Sequence, residues 1–301
     1  MEVMPNPTIH WPENQSRLPK ITIVTPCYNN IDFIEATIVS VLEQGYPNLE
    51  YIVTDGGSTD GSVQVIKRYA PYLAYWQSQL DKGQYAAINE GFQRSTGEIM
   101  SWLNAEDMLQ RNALWSIAEI FGEFPQVEWL KGYPSFYDSH GRLFMLDSEP
   151  HGDPPRWSRY KFLKDYHLIQ QESVFWRRSL WEKAGNYLST DYALAGDLEL
   201  WSRFFYHAQL YSTQVILSGS RFPEGQRATL RDHYLTEAAT IMSQQVLTPD
   251  EKKRLRIINF FDRFLSLPLR KILLIRKVYE KLYCFPPEIV YDVTAEKFFM
   301  T

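Results

Sequence analysis

The 301-residue sequence predicts an α/β fold, a mostly parallel sheet flanked by helices, on three observations. From Lys20 onward, short β-branched runs alternate with stretches in which apolar residues recur at helical spacing. Three of those runs end in polar clusters: Tyr28-Asn29-Asn30, Asp55 to Asp60, and Asn104-Ala105-Glu106-Asp107. Ligands of such sheets sit beyond the carboxyl ends of the strands, so these clusters fall where a binding cleft belongs.

Taken in order, residues 1–19 hold Pro5, Pro7, Pro12 and Pro19 with little apolar periodicity and read as an extended lead-in. Ile21 to Thr25 is short, β-branched and halted by Pro26, as a buried strand would be. Ile34, Ile38, Val41 and Leu42 follow at helical spacing until Gly45 and Pro47 end the pattern. A second strand covers Leu49 to Thr54, and Val63, Ile66 and Tyr69 mark the next helix. A helix from about Tyr85 to Gln93 precedes a strand from Glu98 to Leu103.

From about Gly132 the alternation fades and aromatics and prolines rise, apart from a helix around Asp197 to Tyr206. After Ser220 the chain reads as mainly helical. Leu255, Ile258, Phe261 and Leu265 share one face, Pro268 interrupts, and Ile272, Ile275, Tyr279 and Leu282 share another. The expected organisation is therefore a lead-in over 1–19, a domain over 20–219 with halves at 20–131 and 132–219, and a helical extension over 220–301.

Composition excludes several classes. Hydrophobic residues are 45% and charged residues 22%, which fits a folded globular chain and not a disordered or polytopic one. Two cysteines, Cys27 and Cys284, cannot make a disulfide framework or a thiolate metal cluster, and a reducing cytoplasmic setting is expected. No apolar run reaches the ~18 residues of a membrane span, and the N-terminus lacks a signal-peptide layout. Residues 252–283 hold ten basic against two acidic side chains, a surplus of eight, so the net charge of −5 leaves −13 on the rest. An acidic body with a basic, aliphatic segment points to an anionic membrane surface as a partner, or to stripes that pack on the body or on a second copy of the chain in a homo-oligomer.

Chemistry concentrates in four places. Adjacent carboxylates at Glu106 and Asp107 repel unless a cation or a helix terminus compensates, and oxygen ligands of this kind suit Mg2+ or Mn2+; capping of the next helix is the plainer reading. Asp55 to Asp60 makes a tight strand-to-helix turn with Gly56-Gly57, leaving Asp55 at the strand end as an acceptor for a base or ribose. Asp81-Lys82-Gly83 offers a cation for a phosphate or is simply an exposed turn, and Ala86, Ala87, Asn89 and Gly91 let the following helix approach closely. Asp197 opens an amphipathic helix, as a cap or as a reacting carboxylate. Cys27 reads as a packed small residue, and the six histidines show no metal-ligand spacing.

Together, Thr25-Pro26-Cys27-Tyr28-Asn29, Thr54 to Ser62, Asp81-Lys82-Gly83, Asn104-Ala105-Glu106-Asp107 and Gly196 to Trp201 resemble the ordered motifs of glycosyltransferase family 2, over about residues 20–206. The resemblance implies a GT-A fold (a Rossmann-like α/β sheet), a nucleotide-sugar donor with UDP favoured, a divalent metal, and inversion at the anomeric carbon. The halves would then bind donor and acceptor respectively. It implies that Pro26, Tyr28 and Asp55 meet the nucleobase end of the donor, Asp81 and Lys82 the ribose and diphosphate, and Asn104 and Glu106 the donor beside a metal held by Asp107. Asp197 matches the base, while Gln170 and Gln171 resemble an acceptor-side segment. The implied acceptor is a saccharide or lipid-linked saccharide, with no nucleic acid involved; the expected location is cytoplasmic, peripheral at the inner face of a membrane where the basic segment docks there. Ala105 and Glu106 stand where the family usually has Ser and Asp, and Pro223 where members often have His, so a lapsed nucleotide-sugar-binding scaffold is the alternative. A nicotinamide oxidoreductase fits poorly, because Pro26-Cys27-Tyr28 replaces the Gly-rich turn.

Overall fold

The computed structural model describes residues 18–146, 156–165, 169–221, 227–264 and 273–301. The chain opens with β1 (Ile21–Cys27), α1 (Ile34–Leu42), β2 (Leu49–Asp55), α2 (Ser62–Tyr69), β3 (Tyr75–Ser78), α3 (Gln84–Arg94) and β4 (Ile99–Trp102). It continues through β5 (Met108–Leu109), α4 (Ala113–Glu123), β6 (Trp129–Lys131), β7 (Ser135–Tyr137), β8 (Leu143–Leu146), α5 (Arg159–Phe162), β9 (Val174–Arg177), α6 (Arg178–Lys183), α7 (Gly196–His207), β10 (Leu210–Thr213) and β11 (Ser218–Arg221). It closes with α8 (Arg227–Ser243), α9 (Pro249–Phe264), α10 (Leu273–Tyr283), β12 (Glu288–Asp292) and β13 (Lys297–Met300).

Nine strands form the main sheet in the order β13-β12-β10-β6-β9-β4-β1-β2-β3. β1 runs parallel to β2 and β4, and β2 parallel to β3, whereas β9 is antiparallel to both β4 and β6. Two reversals restore the direction, so β6 and β10 point the same way as β1. The register sets Cys27 opposite Asp55, which brings the first two polar strand tips side by side. A smaller sheet, ordered β5-β11-β7-β8, stands next to the third tip through β5.

The strand alternation sorts side chains onto two faces of the sheet. Ile21, Ile23 and Cys27 join the cluster that includes α1, α2 and α4, while Val24 joins the cluster that includes α3, α6 and α7. β4 divides likewise, Ile99 to the first and Met100 and Trp102 to the second. The aromatic enrichment of the second half is core: Trp201 of α7 lies 5.9 Å from Trp102 and 5.8 Å from Trp176, ring centre to ring centre, and all three are buried. Each such ring removes on the order of 200 Å² from water, which anchors α7 against β4 and β9.

The structure departs from the sequence reading in two places. Alternation fades after Gly132 because β7, β9 and β10 have only three or four residues each, too few to show a period. The stretch after residue 220 holds the expected helices α8, α9 and α10, but it ends in β12 and β13. These strands join the main sheet beside β10, so the last residues belong to the body of the fold. The expected lead-in falls almost wholly on residues 1–17, outside the described residues. Among the described residues no helix is long and apolar enough to cross a membrane.

Candidate active site

A cleft of about 420 Å³ opens at the carboxyl ends of β1, β2 and β4. Pro26, Tyr28, Gly56, Asp81, Gln84, Asn104 and Glu106 line it, joined by Ala87 from the wall that α3 supplies. Tyr28 is 65% exposed and free to lie along a planar ligand. Lys82 is exposed in the same turn as Asp81 and is not part of the lining. A second cleft of about 430 Å³, around Arg159, Tyr206 and Gln209, lies at the opposite edge, before β6 and β10, and contains none of the motif residues.

Turn chemistry explains how the strand tips hold their shape. The Asp55 carboxylate accepts the N–H groups of Gly57 and Ser58 at 3.0 and 2.9 Å and the hydroxyls of Ser58 and Ser78 at 2.5 and 2.7 Å. It is 1% exposed and braces the turn from beneath, while Gly56 reaches the cleft. A direct base contact by Asp55 is thus left to the remaining acceptor position on Oδ1. Gly56 brings its backbone close to the Asp81 carboxylate: a Cβ there would stand 2.8 Å from Asp81 Oδ2, so the exposed Asp81 side chain would have to swing aside. At Gly91 a Cβ would lie 2.5 Å from the Val24 side chain, so the small residues of α3 serve contact with the sheet as well as the cleft wall.

Asp107 lies behind Glu106, fully enclosed. Its Oδ1 accepts the Arg221 backbone N–H at 3.1 Å, and Oδ2 accepts the Asn104 amide at 3.1 Å. Asn104 is itself oriented by Gln84, whose amide donates to it at 2.6 Å. Burial, and then the charges of Glu172 and Glu106, push the Asp107 carboxyl well above the carboxylate range. Burial likewise raises Glu106, which accepts the Asn30 amide at 3.1 Å, and Glu172, which is partly offset by Lys131. Three acidic groups thus crowd one wall, and Glu172 Oε1 is buried with no hydrogen-bond partner.

That crowding is the test of a divalent cation. An orphaned carboxylate oxygen and mutually repelling acids are what a cation would relieve. Among the described residues, no group of three His, Cys, Asp or Glu could hold a metal ion alone. A cation at Asp107 would therefore take further ligands from water and from a diphosphate, a pattern that suits Mg2+ or Mn2+.

Asp197 sits in the first turn of α7 beside Tyr85, the second residue of α3. Gly196 allows this approach, since a Cβ there would meet the Tyr85 ring at 2.7 Å, and the Tyr85 hydroxyl donates to the Leu194 carbonyl at 2.8 Å. Burial pushes the Asp197 carboxyl up to about 7, against the Leu198 N–H, which donates to it at 2.8 Å; the Glu237 charge adds to the rise. A carboxylate balanced near neutrality can accept a proton and release it. Cys27, pushed up to about 12 mainly by burial, is inert.

Gln170 and Gln171 are engaged by the scaffold. The Gln170 amide bonds both the N–H and the carbonyl of Ser135, at 3.0 and 2.9 Å, and Gln171 donates to the Trp102 carbonyl at 2.8 Å. Their expected acceptor-side position is therefore filled by amides that tie β7 and β4 together. Sequence reasoning missed three groups. Glu172 and Arg221 face Asp107 from distant segments, and Glu237 of α8 accepts the N–H groups of Ala193, Leu194 and Ala195 at 2.8, 2.9 and 2.9 Å, just ahead of Asp197. No local spacing signals any of them. Pro223 lies outside the described residues.

Comparison with known proteins bears on the family and the fold. The family model described as "Glycosyl transferase family 2" matches residues 22–182, just over half of the chain. Glycosyltransferase Rv1514c of Mycobacterium tuberculosis is 31% identical over 184 residues, covering 60% of this chain and 67% of that protein. Staphylococcus aureus TarS 1-349 in complex with UDP-GlcNAc aligns with a TM-score of 0.60 at 16% identity, over 87% of this chain and 79% of that one. The mannosyltransferase PcManGT of Pyrobaculum calidifontis, in complex with GDP-Man and Mn2+, aligns with a TM-score of 0.58 at 18% identity, over 88% and 81%. The last two share the fold, a GT-A α/β sheet. With the motifs on its strand tips and the family match across them, this chain belongs to glycosyltransferase family 2 and is a glycosyltransferase.

Proposed function

We propose that the enzyme transfers one sugar, with inversion, from a nucleoside diphosphate sugar, UDP favoured, to a hydroxyl of a saccharide or lipid-linked saccharide. The observation that carries this is the cleft itself. Residues from three separate segments, Tyr28, Asp81, and Asn104 with Glu106, line one cavity with Asp107 behind it and the wall helix α3 touching the start of α7. The favoured base follows from the motif resemblance, and a structural relative bound to UDP-GlcNAc supports it.

In this reading Tyr28 stacks on the base, the Gly56 turn passes close to the ribose, and Asp81 and Lys82 border the ribose and diphosphate. Asp107 would hold the divalent cation, which when bound neutralises charge on the departing diphosphate. The acceptor hydroxyl attacks the anomeric carbon as the bond to the diphosphate oxygen breaks on the opposite side. Asp197 takes the proton that the attacking oxygen loses. One displacement inverts the centre, and no covalent intermediate on the protein is required. The departures at positions 105 and 106 are compatible with activity: Ala105 is buried with its carbonyl accepting the Thr37 hydroxyl at 2.7 Å, and Glu106 still reaches the cleft.

Calorimetry with UDP, GDP and dTDP, each with and without Mn2+, tests the donor side. One nucleotide is expected to bind more tightly with Mn2+, and failure of all three to bind would overturn the reading. Asp197→Asn tests the chemistry: donor affinity stays within a few fold while transfer is lost. Retained turnover removes Asp197 from the mechanism.

A further inference from the structure

Helix α9 carries two apolar faces. The one that spacing predicts turns inward, with Ile258 fully buried and Leu255 and Phe261 half-buried. The other, Ile257, Phe260 and Phe264, recurs at i, i+3 and i+7 and stands in solvent, 39, 60 and 64% exposed. The rings of Phe260 and Phe264 lie 4.6 Å apart and form a continuous patch.

Charge on the same helix is sorted by side. Glu251 turns in to Arg159, and Asp262 turns in to Lys164, Tyr279 and Tyr283. Lys252, Lys253, Arg256 and Arg263 are exposed; Lys253 and Arg256 lie one turn before Ile257 and Phe260, and Arg263 lies beside Phe264. The only exposed carboxylate on α9 is Asp250, in the first turn.

We propose that this outer face of α9 docks on an anionic lipid bilayer. Aromatic and aliphatic side chains ringed by cations match the boundary between acyl chains and acidic headgroups. Residues outside 252–283 carry a net charge of −13, so an anionic surface repels the body and orients the basic segment that begins with α9 toward itself. The contact stays at the surface, since no described helix is fit to span the membrane. Docking is independent of the transfer reaction and extends beyond it by placing the enzyme beside membrane-borne acceptors.

Co-sedimentation of the full chain with phosphatidylcholine vesicles, with and without phosphatidylglycerol, is the test. Binding is expected only with phosphatidylglycerol, at low salt, and falling as salt rises. The double variants Phe260→Ser/Phe264→Ser and Arg256→Glu/Arg263→Glu alter exposed positions, and each is expected to weaken binding at least about tenfold. Unchanged circular dichroism confirms their fold. Absence of wild-type binding to the anionic vesicles at low salt overturns the proposal, as does equal binding by either variant. A dimer in light scattering that only the phenylalanine variant breaks, without vesicle binding, would assign the face to a second copy and also overturn it. None of these readouts uses transfer activity, so failure here leaves the proposed function standing.

Discussion

Glu237→Ala removes one side chain and strands three backbone donors. The carboxylate accepts the Ala193, Leu194 and Ala195 N–H groups at 2.8 to 2.9 Å, with 12% of the side chain exposed. Hydrogen bonds to a charged acceptor contribute about 1.5–3 kcal/mol each when shielded, but Ala193 is exposed and can turn to water, whereas Ala195 is buried. The expected loss of stability is therefore about 2–3 kcal/mol, read as a fall in the urea midpoint. The same loop leads straight into Asp197, so a shift of order an ångström in the base should lower kcat by about ten- to a hundredfold with nucleotide affinity unchanged.

Glu237→Gln separates position from charge. It keeps a carbonyl acceptor and removes a negative group that, together with burial, holds the Asp197 carboxyl up. The groups facing Asp197 are the Tyr85 hydroxyl, the Leu198 N–H and Glu237, itself 3.4 Å from His233. The rate of the glutamine variant should thus rise at lower pH than that of the wild type. An alanine variant that loses stability yet keeps kcat would refute a positioning role. So would a glutamine variant whose pH profile is unmoved.

Three other outcomes are expected. Wild-type kcat should rise through about pH 7 as Asp197 deprotonates; the same raised carboxyl contributes stability at pH 4 that is lost as pH climbs through about 7, so Asp197→Asn should flatten that decline in denaturation curves. Asp107→Asn removes one of three crowded acids but turns an amide NH2 toward the Asn104 or Arg221 donor, so it should lower the urea midpoint slightly while weakening Mn2+-dependent nucleotide binding in calorimetry at least about tenfold. At Glu50, burial alone would raise the carboxyl, but donors from Thr22, Thr96 and Lys20 bring it down to about 2. Stability of roughly 3 kcal/mol is therefore present above pH 4.5 and lost as pH falls through about 2, and Glu50→Gln should lose most of that acid dependence.

The order of elements in the first half of the molecule, and the polar residues at its strand tips, could be read from the residues alone. β1, β2 and helices α1 to α3 are long enough to show their periods, β4 reads as an apolar run, and Tyr28, Asn104, Glu106 and Asp107 follow β1 and β4 closely, because in a parallel sheet the chain order alone places strand ends on one edge; β3, which leads to Asp81, was not legible. Short strands such as β6 and β10 carried no readable period, and β12 and β13 were hidden behind three helices. Which polar side chains are already hydrogen-bonded within the fold emerges only from packing. Asp55, Gln170 and Gln171 have the right chemistry for ligands, yet hydrogen bonds to the backbone or to nearby hydroxyls engage them. Glu172, Arg221 and Glu237 reach the site from positions that no local spacing connects to it. Burial and charge proximity are properties of packing, so the elevated carboxyls of Asp107 and Asp197, and the outward stripe on α9, exist only once the chain is folded.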